Sequence, residues 1–296
     1  MKVVKSIALA GIVMAPFFLR AQEKTDKDKT DTSEITVKVI SRKNKDSVII
    51  TGNGQPWVKA SRQRNVETSW FGIDLGFANF ADHTNYGSAG AQAYAPGSNA
   101  NWFDLRFGKS VNVNIWVLTQ KVNLVNHVLH LKYALGMELN NYRFENAVRF
   151  NPHPGTDAPD PAVVYMDNEP DRNYSKNKLA ADYVTVPLML NVTFPSKNRK
   201  VVEAGNKTVK VRASREFGFS LGMSAGYLYS ARNKTITSDN GKQKAKDNFE
   251  LNPWKLSYVG ELNLGYVSLY GSYAVKSMFK RGLDMTPYTM GIRLGL

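Results

Sequence analysis

From Trp70 to the C-terminus the chain returns again and again to one pattern, an apolar side chain at every second position with glycine, small or polar residues between. The closing run PYTMGIRLGL sets Tyr288, Met290, Ile292, Leu294 and Leu296 on one face and Thr289, Gly291, Arg293 and Gly295 on the other. A period of two belongs to extended backbone, where successive side chains point to opposite faces. Such a chain builds sheets, and what it becomes depends on which face meets its surroundings.

The same division recurs upstream. Phe71, Ile73, Leu75 and Phe77 oppose Gly72, Asp74, Gly76 and Ala78; Leu105, Phe107, Val111, Val113, Ile115 and Val117 oppose Asp104, Arg106, Gly108, Ser110, Asn112 and Asn114, with Lys109 interrupting the apolar row where a bulge would fit. Further runs follow at 129–140, 184–194 and 217–229, then WKLSYVGELNLG and YVSLYGSYAV, joined by a tight hairpin near Gly265. Pro187 marks an expected local irregularity, since proline cannot donate to a ladder. The total is about eight strands. Connections at 81–101, 151–176, 232–253 and 277–286 are long; those at 119–127 and at Gly265 are short, and 195–215 is a long exception. Alternating long loops and short turns on an even number of strands is the plan of an outer-membrane barrel with both termini in the periplasm.

Orientation follows from charge. The small and polar face carries Asp74, Asp104, Arg106, Lys132, Glu138, Glu261 and Arg293, of mixed sign, which are costly in lipid but can pair inside a barrel. The apolar face is bracketed by Trp70, Trp102, Trp254, Tyr258 and Tyr288, as membrane-interface aromatics would be. A soluble lipocalin-like cup needs an apolar cavity, and the face rich in Gly, Ser and Asn is too sparse to supply one. The expected fold is therefore all-β, an antiparallel transmembrane β-barrel.

The N-terminus agrees with export. Lys2 and Lys5 precede an uncharged run from Ile7 to Leu19, too short to span a bilayer as a helix but suited to a signal peptide over 1–21. Residues 22–68 read as a charged, partly disordered periplasmic extension with ITVKVI and DSVIITGNGQPW as β-like runs, and 69–296 as the barrel. Cysteine is absent, which excludes disulfides, a thiol nucleophile and an acylated-cysteine anchor. Of the net charge of +14, the densest basic stretch lies at 197–215, with seven Lys and Arg against one Glu; on an exported chain it reads as a solvated loop beside anionic lipid, with no nucleic acid partner.

HLKYALGMELNNYRF, KLAADYVTVPLMLNV, GYLYSARNKT and the terminal TPYTMGIRLGL together resemble the PorT-type outer membrane β-barrel family of Bacteroidetes, over about 70–296. The resemblance implies insertion by the barrel assembly machinery with the C-terminal strand as signal, here Ile292, Leu294 and Leu296, although Leu296 stands where an aromatic residue is usual. Some relatives serve protein secretion; no shared catalytic motif comes with the family.

An eight-stranded barrel is about wide enough for its own side chains, so the expected role is structural or one of macromolecular interaction, in secretion or envelope assembly. A narrow porin and a barrel-embedded lipid-modifying enzyme are the alternatives. The histidines, His83 and His153 in outer loops, His127 in a turn and His130 facing inward, share no spacing with Ser or carboxylates that defines a catalytic set, and neither a cofactor nor a metal is expected. Expected partners are outer membrane lipid and lipopolysaccharide, the assembly machinery, and an envelope protein met through the loops or the N-terminal extension. Two outer loops differ in sign: Asp157, Asp160, Asp167, Glu169 and Asp171 against Arg172 and Lys176 in one, Arg232, Lys234, Lys242, Lys244 and Lys246 with Asp239 in the other. They could pair, bind divalent cations or dock a partner.

Overall fold

The computed structural model describes residues 35–42, 45–52, 55–61, 65–152, 162–194, 199–204, 207–212, 217–265 and 267–294. Three strands come first, β1 (Ile35–Arg42), β2 (Lys45–Gly52) and β3 (Gln55–Ser61), forming a small antiparallel sheet in that order. The expected run DSVIITGNGQPW is thus two strands. The expected signal peptide and the charged run before Ile35 lie outside the described residues.

The remaining strands are β4 (Val66–Asp82), β5 (Val111–Val125), β6 (Leu129–Arg143), β7 (Val148–Phe150), β8 (Val164–Met166), β9 (Tyr174–Phe194), β10 (Arg199–Ala204), β11 (Lys207–Arg212), β12 (Phe217–Thr237), β13 (Gly241–Lys246), β14 (Trp254–Leu264), β15 (Val267–Ala274) and β16 (Met285–Leu294). Eight of them, β4, β5, β6, β9, β12, β14, β15 and β16, pair antiparallel in sequence, and β16 pairs back onto β4 to close a ring. Closure leaves no free sheet edge in the ring. With an even number of strands, the chain enters at Val66 and leaves at Leu294 on the same rim.

That rim carries the short turns. Between β5 and β6, Asn126 (φ 47°) and His127 (φ 55°) both adopt left-handed backbone, and the Val128 N–H donates to the Val125 carbonyl at 2.9 Å, a type I′ turn whose twist matches the flanking strands. Gly265 (φ 95°) turns β14 into β15. The long connection 195–215 contains the hairpin β10–β11, paired from Arg199↔Arg212 to Ala204↔Lys207. The opposite rim bears the larger structures: helix α1 (Ala89–Tyr94), a 3-10 turn at Ala100–Phe103, the β7–β8 hairpin, and β13, which pairs with an upward extension of β12. The segment 232–253, read from sequence as a loop, is therefore largely sheet.

Two irregularities reset the alternation. Trp70↔Leu118 is followed by Gly72↔Trp116, leaving Phe71 (φ 66°) and Val117 without partners in this ladder. Inward residues are Ser69 below that level and Gly72, Asp74 and Gly76 above it. On β12 the register to β9 shifts between Leu228 and Ser230, so even-numbered positions face inward before Tyr229 and odd-numbered ones after it. The irregularity expected at Pro187 is a gap in pairing with β6: partners run to Tyr133↔Leu188 and resume in the same register at Gly136↔Thr185, while the other side pairs continuously through Ser224↔Pro187. No bulge exists at Lys109, because Gly108 (φ 78°) turns the chain and β5 begins only at Val111.

The ring is inverted relative to a soluble sheet. Its outer wall is exposed and apolar, with Leu75, Leu188, Leu221, Leu256, Leu269 and Met290 between 44 and 61% accessible. Inward-facing residues of the ring, Asp74 on β4, Asn112 on β5, Asn140 on β6 and Ser220 on β12, are buried at 0 or 1%.

Candidate functional site

The lumen divides into three zones along the axis. The loop-bearing end holds an apolar plug in which Tyr94 of α1, Phe103 of the 3-10 turn, Val148 and Phe150 of β7, Val164 of β8, and Phe249, Phe279 and Met285 pack onto the upper ends of β6, β9 and β12. The Phe150 ring stacks on Phe144 at 5.9 Å and meets Phe249 edge-on at 5.5 Å, and the Tyr94 hydroxyl donates to the Phe249 carbonyl at 2.8 Å. Burial and the nearby Glu250 carboxylate hold the Tyr94 hydroxyl well above its ordinary pKa, against a smaller opposite effect of Arg281, so it is a neutral donor.

Below the plug runs one connected polar network. Arg293 grips Asp74 with two hydrogen bonds (Nε to Oδ1 2.6 Å, Nη2 to Oδ2 2.7 Å) and Glu261 with a third (Nη1 to Oε1 2.5 Å). Lys132 pairs with Glu261, and Lys255 with Glu138. Trp116 Nε1 donates to Asp74 Oδ2 at 2.7 Å and lies under the Arg293 guanidinium, 5.4 Å from its ring centre. From Asp74 the chain of bonds continues through Asn114, Asn112 and Asn140 to Glu138, and from Glu261 through Ser220, Asn191 and Thr193 to Lys121. In the salt bridges of this network three acids (Asp74, Glu138, Glu261) meet three bases (Lys132, Lys255, Arg293), so these carboxylates are paired, as burial demands. A void of only about 40 Å³ remains at its centre, room for little more than a water. Toward the turn-bearing rim the lumen widens to a recess of about 230 Å³ lined by Glu67, Ser69, Thr119, Lys121 and Lys132.

Glycine makes the middle zone fit. Gly76 and Gly291 are cross-strand partners, and the Tyr270 side chain crosses them to donate from its hydroxyl to Asn112 Oδ1 at 2.5 Å. A Cβ on Gly76 would stand 2.2 Å from the Met290 carbonyl oxygen and 2.5 Å from the Tyr270 hydroxyl.

Of the interior residues expected from sequence, Asp74, Lys132, Glu138, Glu261 and Arg293 meet in this network. Asp104 and Arg106 do not. Asp104 is exposed at the end of the 3-10 turn and Arg106 lies at the loop rim, its N–H donating to the Arg143 carbonyl, because the chain between 104 and 110 turns back through Gly108 instead of continuing the wall. Lys255 takes the third basic place. Not among the interior residues expected from sequence, it shares its face with Ser257 and Glu261. Trp70, Trp254 and Tyr258 project outward at 68, 65 and 59% accessibility. Tyr288 is half-buried beside Phe77 and Met290. Trp102 is not on the wall, since the 3-10 turn packs it against the apolar plug. Ile292 faces out, Leu294 pairs with Val267 through its backbone, and Leu296 lies outside the described residues.

The loops of opposite sign are partly joined. Arg172 pairs with Asp167 at 2.7 Å in its own loop and reaches Asp239 across the next at 2.8 Å. Burial alone would raise the Asp167 pKa, but hydrogen bonds from Tyr174 and Arg172 hold it below the usual range; the Arg172 bond depresses Asp239 to about 2. Asp157, Asp160 and His153 lie outside the described residues. His130 is buried with its ring centre 6.4 Å from that of His127, and the His83 N–H donates to the Asp284 carbonyl. Among the described residues no group of three or more His, Asp and Glu side chains could hold a metal, and no helix is long and apolar enough to cross a membrane. Comparison with protein-family models, with curated proteins and with solved structures gives no match for this chain.

Proposed function

We propose that this chain is an outer membrane β-barrel that conducts no solute and acts as a scaffold, its loops and its N-terminal extension meeting other envelope macromolecules. The observation that carries the reading is the inverted ring, apolar and exposed outside, with its buried carboxylates Asp74, Glu138 and Glu261 paired to bases within. Strands β14 and β16, of 11 and 10 residues, match the roughly 9 to 11 that a tilted strand needs to cross a bilayer, and β15 has 8. Exposed aromatics stand near both rims, Trp70 and Phe217 at one, Tyr227, Trp254 and Tyr273 at the other, as headgroup-level belts do. Both termini then face the periplasm, and the resemblance to PorT-type barrels points to secretion or envelope assembly as the process served.

The apolar plug and the paired network argue against a pore. The purified mature protein, reconstituted into planar bilayers, should leave conductance at the lipid baseline, and a mild-detergent pull-down should recover envelope proteins that a truncation of residues 22–61 reduces. Stepwise single-channel currents would replace the scaffold with a narrow porin. A protein that stays monodisperse in detergent-free buffer and ignores vesicles would end the membrane reading.

A further inference from the structure

Above the outer aromatic belt, the wall formed by β6, β9, β12 and β13 carries cations in direct cross-strand register. Arg143 is opposite Lys178, Lys178 opposite Lys234, and Lys234 opposite Lys244, so one row holds four positive residues on four neighbouring strands. The rows on either side add Lys246 beside Arg232, and Lys176 and Lys242 flanking Ile236. The alternate positions Asn177, Leu179, Asn233 and Thr235 are buried, so this grid faces outward.

Like charges directly opposite one another destabilise a sheet, and neighbouring strands are only about 4.8 Å apart. Counter-charge within the chain is scarce: Asp182 is taken by Arg232 and Asp239 by Arg172, and among the described residues no carboxylate forms a salt bridge with Lys178, Lys234 or Lys244. The crowding is felt. Lys242 foremost, with Lys176, Lys244 and Arg232, lowers the Lys234 pKa, and burial followed by Lys176, Lys234 and Arg232 brings Lys178 down to about 8. A surface of this kind suits an anion that the described residues do not themselves provide.

Position says which anion. Going up β12 the outward residues pass from Phe219, Leu221 and Met223 through Tyr227 and Tyr229 to Arg232 and Lys234; on β9 they pass from Leu190, Leu188 and Val186 to Lys178 and Lys176. Apolar, then aromatic, then cationic is the profile of a lipid leaflet read from acyl chain through interface to phosphate. We propose that the outward face of β9, β12 and β13 binds the phosphate groups of anionic lipid headgroups in the leaflet at the loop-bearing rim. The site rests on the membrane reading above and names one partner for it.

The test uses the mature protein in phosphatidylcholine vesicles with trace spin-labelled phosphatidic acid or spin-labelled phosphatidylcholine, comparing the motionally restricted fraction of each. Each Lys or Arg near an anionic surface is worth about a fivefold change in partitioning. Wild type should prefer phosphatidic acid at least fivefold, and Lys178→Gln/Lys234→Gln/Lys244→Gln should fall to within twofold of no preference. Lys109→Gln/Lys276→Gln/Lys280→Gln, three exposed cations elsewhere, should behave as wild type. An inserted wild type without preference, a triple variant that keeps it, or equal loss in the control would overturn the site while leaving the membrane reading standing. Failure of the wild type to enter vesicles would overturn both.

Discussion

Replacing Arg293 with methionine keeps much of the side chain's bulk while withdrawing its charge and its three hydrogen bonds to Asp74 and Glu261. The two carboxylates do not suffer equally. Glu261 retains Lys132 and Ser220, whereas Asp74, 0% accessible, is left with Trp116 Nε1 at 2.7 Å and a long contact to Asn114 at 3.4 Å. The ion-paired set of the middle zone then holds three acids against two bases. Removing one member of a buried pair costs about 3–5 kcal/mol, and because Arg293 serves two acids the loss should lie in the upper half of that span. Asp74→Asn in the same chain withdraws the stranded charge, so the double variant should be more stable than Arg293→Met alone by about 2 kcal/mol. The measurement is urea unfolding in lipid vesicles, followed by tryptophan emission, to which Trp116 beneath the guanidinium contributes. A loss below about 1 kcal/mol for Arg293→Met, or strictly additive effects in the double-variant cycle, would refute the view that this arginine holds the network together.

Gly76→Ala should cost about 2–3 kcal/mol, because the new Cβ meets the Met290 carbonyl as well as Tyr270; adding Tyr270→Phe should not restore stability in the same urea titration, and full restoration would show that the backbone had room. Phe150→Ala opens the apolar plug and should cost about 3–5 kcal/mol, with protease sites appearing in the loop-end structures before the wall unfolds; unchanged digestion would contradict the plug's role in ordering them. Asp239 has a folded pKa, about 2, below its unfolded value near 3.9, so its contribution is complete above about pH 4 and is lost as pH falls through 2. Carbon-detected NMR of the Asp239 carboxyl should show that low midpoint, and Arg172→Gln should raise it toward the ordinary carboxylate range, with the Thr237 and backbone hydrogen bonds still holding it down in part; a midpoint indifferent to Arg172 would dismiss the inter-loop link.

The ring was readable because its wall is nearly pure alternation. Val184 to Phe194 and Trp254 to Leu264 keep one parity from end to end, so face and register follow from the letters. Reading failed where the backbone departs from period two. Asp104 and Arg106 continue the alternation of β5 on paper, yet Gly108 turns the chain before the wall begins. Lys255 obeys the same parity as Glu261 and could have been found by it. The apolar plug left no trace at all, since Tyr94, Phe103, Phe150, Val163 and Phe279 come from unrelated short segments whose only common property is that they meet. The cationic grid was visible as a basic loop, but its outward facing depends on the shift at Tyr229, which no local signal announces.

Strands β9 and β12 run for 21 residues each, against 8 in β15. The cylinder therefore has a tall flank and a low one, and rotating it about its own axis does not return an equivalent object. A neighbour arriving sideways from β15 would touch hydrocarbon-like wall alone, while one arriving from β12 would meet a crest rising past the rim. Direction around the axis, as well as height along it, is thus written into this molecule, and any complex it joins inherits a compass bearing from two long strands.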